Sequence, residues 1–336
     1  MSPVETPLVS VVTPVYNGAE FLADCIESVL RQSYANWEYI IVNNCSKDGT
    51  LEIARRYAQR DPRIRVHDNE TFLGVIENHL LAFSLISPAA KYCKVVSADD
   101  LMFPECLTQM VALAEANPSV GLVGAYMLAG KQVVNVGLGY GENVLKGRDI
   151  CRRTLLGGPY VFGSPTSLLY RADLVRATPN FYPNSNPHAD TTAVYQSLEH
   201  TDFGFVHQVL SYARIHSESQ TSKSIKYGRI NRAMIADLIR FGPIYLSPDE
   251  QKVRLEALLD WYYNVLVRAV VENRKNKEFW DLQKSELHDM GLEFSWPRLL
   301  KATALKGVRS ALNPGSAWDR LSAVKNRGSA IEAKYY

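Results

Sequence analysis

Apolar and polar positions follow two alternating periods through the first hundred residues. Residues 8–13 (L-V-S-V-V-T) are a β-branched run that reads as a buried strand. A turn, Pro14-Val15-Tyr16-Asn17-Gly18, follows. Phe21, Leu22, Cys25, Ile26, Val29 and Leu30 then recur at helical spacing. Asn17 followed by Glu20 resembles a capping box at that helix start. The pattern predicts strands at 37–42 and 63–67 and helices from Thr50 to about Gln59 and over 74–86. Val95 and Val96 close a further strand. Strands alternating with helices imply βαβ units and a mostly parallel sheet. In such sheets ligands sit at the C-terminal strand ends, so the loops after Thr13, Val42 and Val96 should converge on one crevice.

Beyond that point the pattern loosens. Residues 120–128 and 132–136 read as strands, antiparallel to each other, 191–200 as a helix, and 203–215 as one or two strands. After about Ser224 helical spacing takes over. Leu255, Leu258, Leu259, Tyr262, Leu266, Val267 and Val270 form one stripe, and Ser247-Pro248-Asp249-Glu250 supplies a cap, an N1 proline and an N3 glutamate. Further helices are predicted at 277–290, 297–312 and 317–325. The expected organisation is an α/β unit over 1–222 and an all-helical module over 223–336.

One stretch carries unusual chemistry. In Y-C-K-V-V-S-A-D-D-L-M-F-P, residues 92–104, a short strand ends in adjacent carboxylates, Asp99 and Asp100, before Pro104 restarts the chain as a helix. Like charges so placed repel. A hard divalent cation, Mg²⁺ or Mn²⁺, held against substrate phosphates would relieve that repulsion. A solvated turn with an aspartate helix cap is the other reading of these residues alone.

Composition narrows the field. The 336 residues are 46% hydrophobic, ordinary for a globular chain, and the formal charge of +2 implies no nucleic-acid partner. Five scattered cysteines form no C-x-x-C, which suggests reduced thiols and a cytoplasmic setting. Met1-Ser2-Pro3-Val4-Glu5 lacks the basic and apolar regions of a signal peptide, and no apolar run is long enough to span a bilayer.

Three segments, V-S-V-V-T-P-V-Y-N (9–17), I-I-V-N-N-C-S-K-D-G-T (40–50) and S-A-D-D-L-M-F-P (97–104), together resemble family 2 glycosyltransferases of the GT-A fold. The resemblance covers roughly residues 8–220. It implies a nucleotide-diphospho-sugar donor, UDP-linked by preference, a divalent cation, and sugar transfer with inversion to a glycan or lipid-linked acceptor. By the same resemblance Thr13, Pro14 and Tyr16 pack on the nucleobase. Asn43 and Asn44 stand where the family more often has Asp-Asp, the first of which reads the base edge. Asn78, in a G-x-x-x-N helix begun by Gly74, holds the nucleotide or the doublet loop. Asp99 matches the metal-binding aspartate. Ser97 replaces the first Asp of D-x-D, a ribose contact, while Ala98 and Asp100 complete the donor loop. The family's base is expected before a late helix, upstream of a strand ending R-x-H. Here His188-Ala189-Asp190-Thr191-Thr192 precedes that helix and Tyr212-Ala213-Arg214-Ile215-His216 closes the strand. Asp190 is thereby the candidate base and His216 a candidate ligand of metal or diphosphate, with Ser164, His188 and Arg214 as further contacts.

Two rivals remain in view. A nucleotidyltransferase would want a glycine-rich basic phosphate loop after the first strand, where Pro14-Val15-Tyr16-Asn17-Gly18 has one glycine and no basic residue. A non-catalytic sugar-nucleotide-binding protein of the same fold is compatible with Asn43 and Ser97 but not with Asp99 and Asp190 together. From Trp296 on, Arg298, Lys301, Lys306, Arg309, Arg320, Lys325, Arg327 and Lys334 face only Asp319 and Glu332. Basic helices of this kind suit peripheral contact with the cytoplasmic face of an anionic membrane, a solvated face, or a homo-oligomer contact.

Overall fold

The computed structural model describes residues 6–183, 188–215 and 229–312. The chain divides into two compact units, Met1–His216 and Ser217–Tyr336. The first is built on a ten-stranded mixed sheet. Its strands are β1 (Val9–Val15), β2 (Trp37–Asn43), β3 (Ile64–Asp68), β4 (Tyr92–Val95), β5 (Leu101–Met102), β6 (Val120–Ala129), β7 (Gln132–Val134), β8 (Val144–Leu145), β9 (Leu168–Arg171) and β10 (Asp202–Ala213). They run in the order β3-β2-β1-β4-β9-β6-β10-β5, with β7 on β6 and β8 on β10. Strands β1 to β4 pair in parallel; β9 is antiparallel to both β4 and β6, and β10 returns parallel to β6.

The flanking helices are α1 (Leu22–Leu30), α2 (Thr50–Ala58), α3 (Val75–Ser84), α4 (Cys106–Ala116), α5 (Gly147–Leu155), α6 (Ala172–Ala177) and α7 (Ala189–Leu198). Strand β1 is hydrogen-bonded on both edges, and Val9, Val11 and Val12 are fully buried. That is why it reads as a continuous apolar run and not as an alternation. Leu22, Cys25, Ile26 and Val29 of α1 are buried at helical spacing in the same core.

The capping box expected at Asn17 and Glu20 does not form. Helix α1 starts at Leu22 behind Phe21, with no side-chain cap. Asn17 instead takes φ 50°, and its Oδ1 accepts the Lys47 backbone N–H. Asparagine tolerates the left-handed region, so turn chemistry won over capping. Pro104 is followed by α4 from Cys106, but between the doublet and the proline lies β5. Its two residues pair antiparallel with Ser211 and Tyr212 of β10.

The second unit contains α8 (Arg229–Tyr245), α9 (Pro248–Glu272), α10 (Lys277–Asp289) and α11 (Trp296–Leu312). The capping box at Ser247 and Glu250 is present, with Pro248 at the first turn. Leu258, Leu259, Tyr262, Leu266 and Val267 are buried as the stripe requires. A polar knot ties the helices: Gln283 Oε1 accepts from Arg232 at 2.9 Å and from the Tyr262 hydroxyl at 3.0 Å. No described helix is long and apolar enough to cross a membrane. The helix expected at 317–325 lies outside the described residues.

Candidate active site

The loops after β1, β2 and β4 meet the end of β10 and the segment before β9. The carboxylate doublet sits at the centre of this arrangement. Asp100 donates its backbone N–H to the Ser97 carbonyl, closing a turn after β4. Its side chain is turned inward, with the residue 5% exposed, while Ser97, Ala98 and Asp99 are half-exposed. Thr166 donates its hydroxyl to Asp100 Oδ2 at 2.6 Å and accepts the Ser97 N–H at 3.1 Å. Burial, and then repulsion from Asp99, push the Asp100 carboxyl up to about 7, against the pull of Thr166 and of the Arg214 backbone N–H. Strand β5 is what brings Arg214 there, by holding the end of β10 alongside the doublet. The Arg214 guanidinium itself pairs with Asp24 at 2.6 Å and stacks over Phe21.

Beneath the doublet lies a lysine. Lys94 on β4 is fully buried, and its ammonium donates to the Thr166 carbonyl at 2.5 Å and the Leu168 carbonyl at 3.0 Å. Burial lowers its proton affinity, and Asp100 is among the groups that counter this. The turn so held begins at Gly163, whose φ of +68° suits glycine. A Cβ there would also come within 2.5 Å of the Asn135 amide.

Tyr160, just before this turn, reaches the residue after Asp190. The Asp190 carboxylate accepts the Thr191 N–H at the start of α7, at 2.9 Å. The Thr191 hydroxyl lies 2.8 Å from the Tyr160 hydroxyl, which donates to the Gly163 carbonyl at 3.4 Å. Three residues on is Thr166. His79 and His188 are both disfavoured as cations by burial, and the charge of Asp190 opposes that in each. His79 packs against Tyr182 with ring centres 5.5 Å apart.

At the β2 end, Tyr16 and Phe72 are 46% and 61% exposed and meet edge to face at 4.9 Å. Asn44 clamps the Phe72 loop through the backbone N–H and carbonyl of Leu73, and Asn69 bridges Asn44 and Asn78. Asn43 is 1% exposed and donates to Asp68 Oδ1 at 2.8 Å. Thr13 is fully buried, its hydroxyl bonded to the Val96 carbonyl and close to the Tyr39 hydroxyl. The β1 turn therefore offers Tyr16 outward and Thr13 inward. The two loops also brace each other: Gly18 and Asn17 donate to the Thr50 and Ser46 hydroxyls, and Ala19 to Asp48.

His216 lies outside the described residues. Among those described, no three histidine, cysteine or acidic side chains cluster as a metal site. Asp99 beside the inward Asp100 nevertheless suits a hard cation that takes one or two carboxylates and completes its shell with phosphate oxygens and water. Lys94, Thr166, Asp68, Phe72 and His79 escape the sequence pattern. A lysine inside an otherwise apolar strand was the one available signal; the others depend on partners far off in the chain.

Comparison with known proteins gives a consistent picture. The description "Glycosyl transferase family 2" matches residues 10–177. TuaG of Bacillus subtilis (strain 168), whose name provisionally assigns it to teichuronic acid biosynthesis, is 52% identical over 60 residues, 18% of this chain and 24% of TuaG. The chain spans less than two thirds of the length of the curated relatives it matches. Among solved structures, S. aureus TarS 1-349 in complex with UDP-GlcNAc superposes with a TM-score of 0.64 at 17% identity, over 84% of this chain and 80% of that one. The Pyrobaculum calidifontis mannosyltransferase PcManGT in complex with GDP-Man and Mn²⁺ gives 0.57 at 16%, over 96% and 85%. At these identities the likeness establishes the fold, a GT-A sheet with flanking helices.

Two outcomes follow from the doublet's surroundings. Lys94→Met removes the ammonium donor from two carbonyls and should lower stability in urea by about 1–3 kcal/mol; an unchanged midpoint would show that the ammonium holds nothing. Asp100 titrates near 3.8 when unfolded and near 7 when folded. The folded state therefore binds the extra proton between those values, and this group's contribution to stability falls as pH rises through them. Urea unfolding in chelator from about pH 4 to about pH 7 should show that fall, and Asp100→Asn should remove it.

Proposed function

This chain belongs to glycosyl transferase family 2, and from that premise we propose that it moves a sugar from a nucleotide-diphospho-sugar, a UDP-sugar first of all, to an acceptor hydroxyl with inversion. The observation that carries this reading is the segment from Tyr160 to Thr166. It hydrogen-bonds at one end to the residue after Asp190 and at the other to Asp100. The candidate base and the carboxylate doublet thus share one structural support. The complexes of TarS with UDP-GlcNAc and of PcManGT with GDP-Man and Mn²⁺ support a nucleotide-sugar donor and a divalent cation.

In the proposed reaction Asp190 takes the proton of the acceptor hydroxyl. The acceptor oxygen forms a bond to the anomeric carbon from the face opposite the diphosphate. The bond from that carbon to the diphosphate oxygen breaks, and the nucleoside diphosphate leaves with the electron pair. Asp99, half-exposed, would hold the cation with Asp100 behind it, and the cation supplies positive charge to the departing diphosphate. Burial disfavours the protonated form of both imidazoles beside Asp190, so neither sets a cation against it.

TuaG's name supports a glycan acceptor in cell-surface polysaccharide assembly. A peripheral encounter with a lipid-linked acceptor is favoured by α11. There Leu300, Leu305 and Val308 are 67%, 49% and 55% exposed, and Lys301 and Lys306 are exposed with them. Apolar and basic side chains displayed together suit an anionic bilayer surface.

Asp190→Asn should lower kcat by about 10²–10⁴-fold while donor affinity is retained, read as nucleotide release beside calorimetric binding. Full turnover by this variant would remove Asp190 as the base. Asp99→Ala should instead lose the cation-dependent part of donor binding. Flotation with anionic vesicles should carry the protein upward, and Leu300→Glu with Val308→Glu should abolish it; no flotation of the parent protein would end the membrane reading.

A further inference from the structure

The helical unit holds a cleft that the proposed transfer does not use. Helix α10 carries Asp281, Lys284 and His288 at i, i+3 and i+7, which puts all three on one face. Gly291, at φ +74°, then turns the chain back, and its N–H donates to the His288 carbonyl at 2.8 Å. Past this turn Glu293, Phe294 and Trp296 line the same cavity, of about 390 Å³. A space of that size suits a small molecule. The aromatic wall is held from behind. The Phe294 ring packs at 5.1 Å on Trp296 and at 5.6 Å on the buried Tyr263, and Trp280 backs Trp296 at 5.5 Å. The Tyr263 hydroxyl accepts the Ser295 N–H at 2.6 Å. With all this support Trp296 is still 47% exposed. Fixed aromatic surface thus borders a polar rim open to solvent: the Asp281, Lys284, His288 and Glu293 side chains are 53%, 45%, 78% and 91% exposed.

The rim charges select by exclusion. Asp281 pairs with Lys284 at 3.5 Å and Glu293 with His288 at 3.6 Å, which sets two carboxylates against one ammonium and one imidazole. A phosphate or an anionic headgroup meets no net positive charge there. A cation is opposed too, because the Lys284 ammonium already stands 5.8 Å from the Trp296 ring centre, within cation–π reach. What remains is an uncharged molecule with one apolar face and an edge of hydroxyls. A pyranose ring is such a molecule. Its C–H face lies flat on an indole, and its hydroxyls can donate to a carboxylate and accept from an ammonium. We propose that this cleft is a second sugar site, in a different unit from Asp99 and Asp190, that holds a neutral pyranose of a glycan chain. That the chain is the acceptor rests on the transfer reading above. A glycan so held stays on the protein between transfers, which makes its next encounter an intramolecular one.

Saturation-transfer NMR of the full chain, without donor or cation, reads this binding directly. The probes are maltotetraose, mannotetraose and chitotetraose, with methyl phosphate and tetramethylammonium as charged controls. At least one tetrasaccharide should bind saturably. Trp296→Ala should abolish that signal. Asp281→Ala, at a side chain exposed enough for the variant to fold, should raise the apparent Kd by about tenfold, the cost of one hydrogen bond to a charged group. Lys284→Ala should let tetramethylammonium bind, because the indole then lacks its resident cation. Silence from all three tetrasaccharides, sugar binding that survives Trp296→Ala or is unmoved by Asp281→Ala, or binding of either control that depends on Trp296 in the parent protein overturns the inference. So does a parent protein that binds no sugar but loses flotation with anionic vesicles on Trp296→Ala, which would make the indole a membrane anchor. Sugar binding by a chain that releases no nucleotide from any donor supports the cleft and overturns the transfer reading alone.

Discussion

The site depends on one buried cation. The ammonium of Lys94 lies within the sheet, with no exposure, and holds two carbonyls of the segment that crosses from α5 to β9. Burying a charge is costly unless it is hydrogen-bonded. Here one of the two bonds goes to Thr166, the residue whose hydroxyl grips Asp100. The strand that ends in the doublet thus also anchors the turn that fixes the doublet's inner member. Both links act over about seventy residues of sequence, and neither involves a surface side chain.

That arrangement explains how two neighbouring carboxylates come to differ. Asp100 is enclosed, with a hydroxyl and a backbone N–H for company, and it resists ionisation; Asp99 stays half-exposed. Adjacent residues on a tight turn point different ways, and the two-residue strand β5 keeps that turn from relaxing by pairing with β10. The chemistry expected of a paired-carboxylate site is thereby divided between a residue that faces outward and one that keeps the turn in shape.

What could be read from the chain alone was whatever depends on local periodicity or a contiguous motif. Strands β1 and β2, helices α1 to α3, the Ser247 cap and the position of the doublet at a strand end were all legible, because each is written within about ten residues. Asn17 misled: asparagine serves a left-handed turn as readily as a cap, and only the distant Lys47 backbone decides between them. Thr13 belonged to a motif with outward-facing members, yet the pleat turns its own hydroxyl into the core, toward Tyr39. Lys94 was visible as a charge in an apolar strand, but its partners Thr166 and Leu168 were not. Asp68 and Phe72 carried no local mark, since their roles arise only when β3 and the loop before α3 are laid beside β2.

The cross-bracing of the loops that follow β1 and β2 has a kinetic implication. Hydrogen bonds from Asn17, Gly18 and Ala19 to Ser46, Thr50 and Asp48 fix both segments to one another before any small molecule arrives. The entropy of ordering them is settled during folding and not during capture. An incoming molecule would meet a rigid floor at this end of the cleft, so its arrival should be limited by diffusional orientation and not by waiting for loops to rearrange.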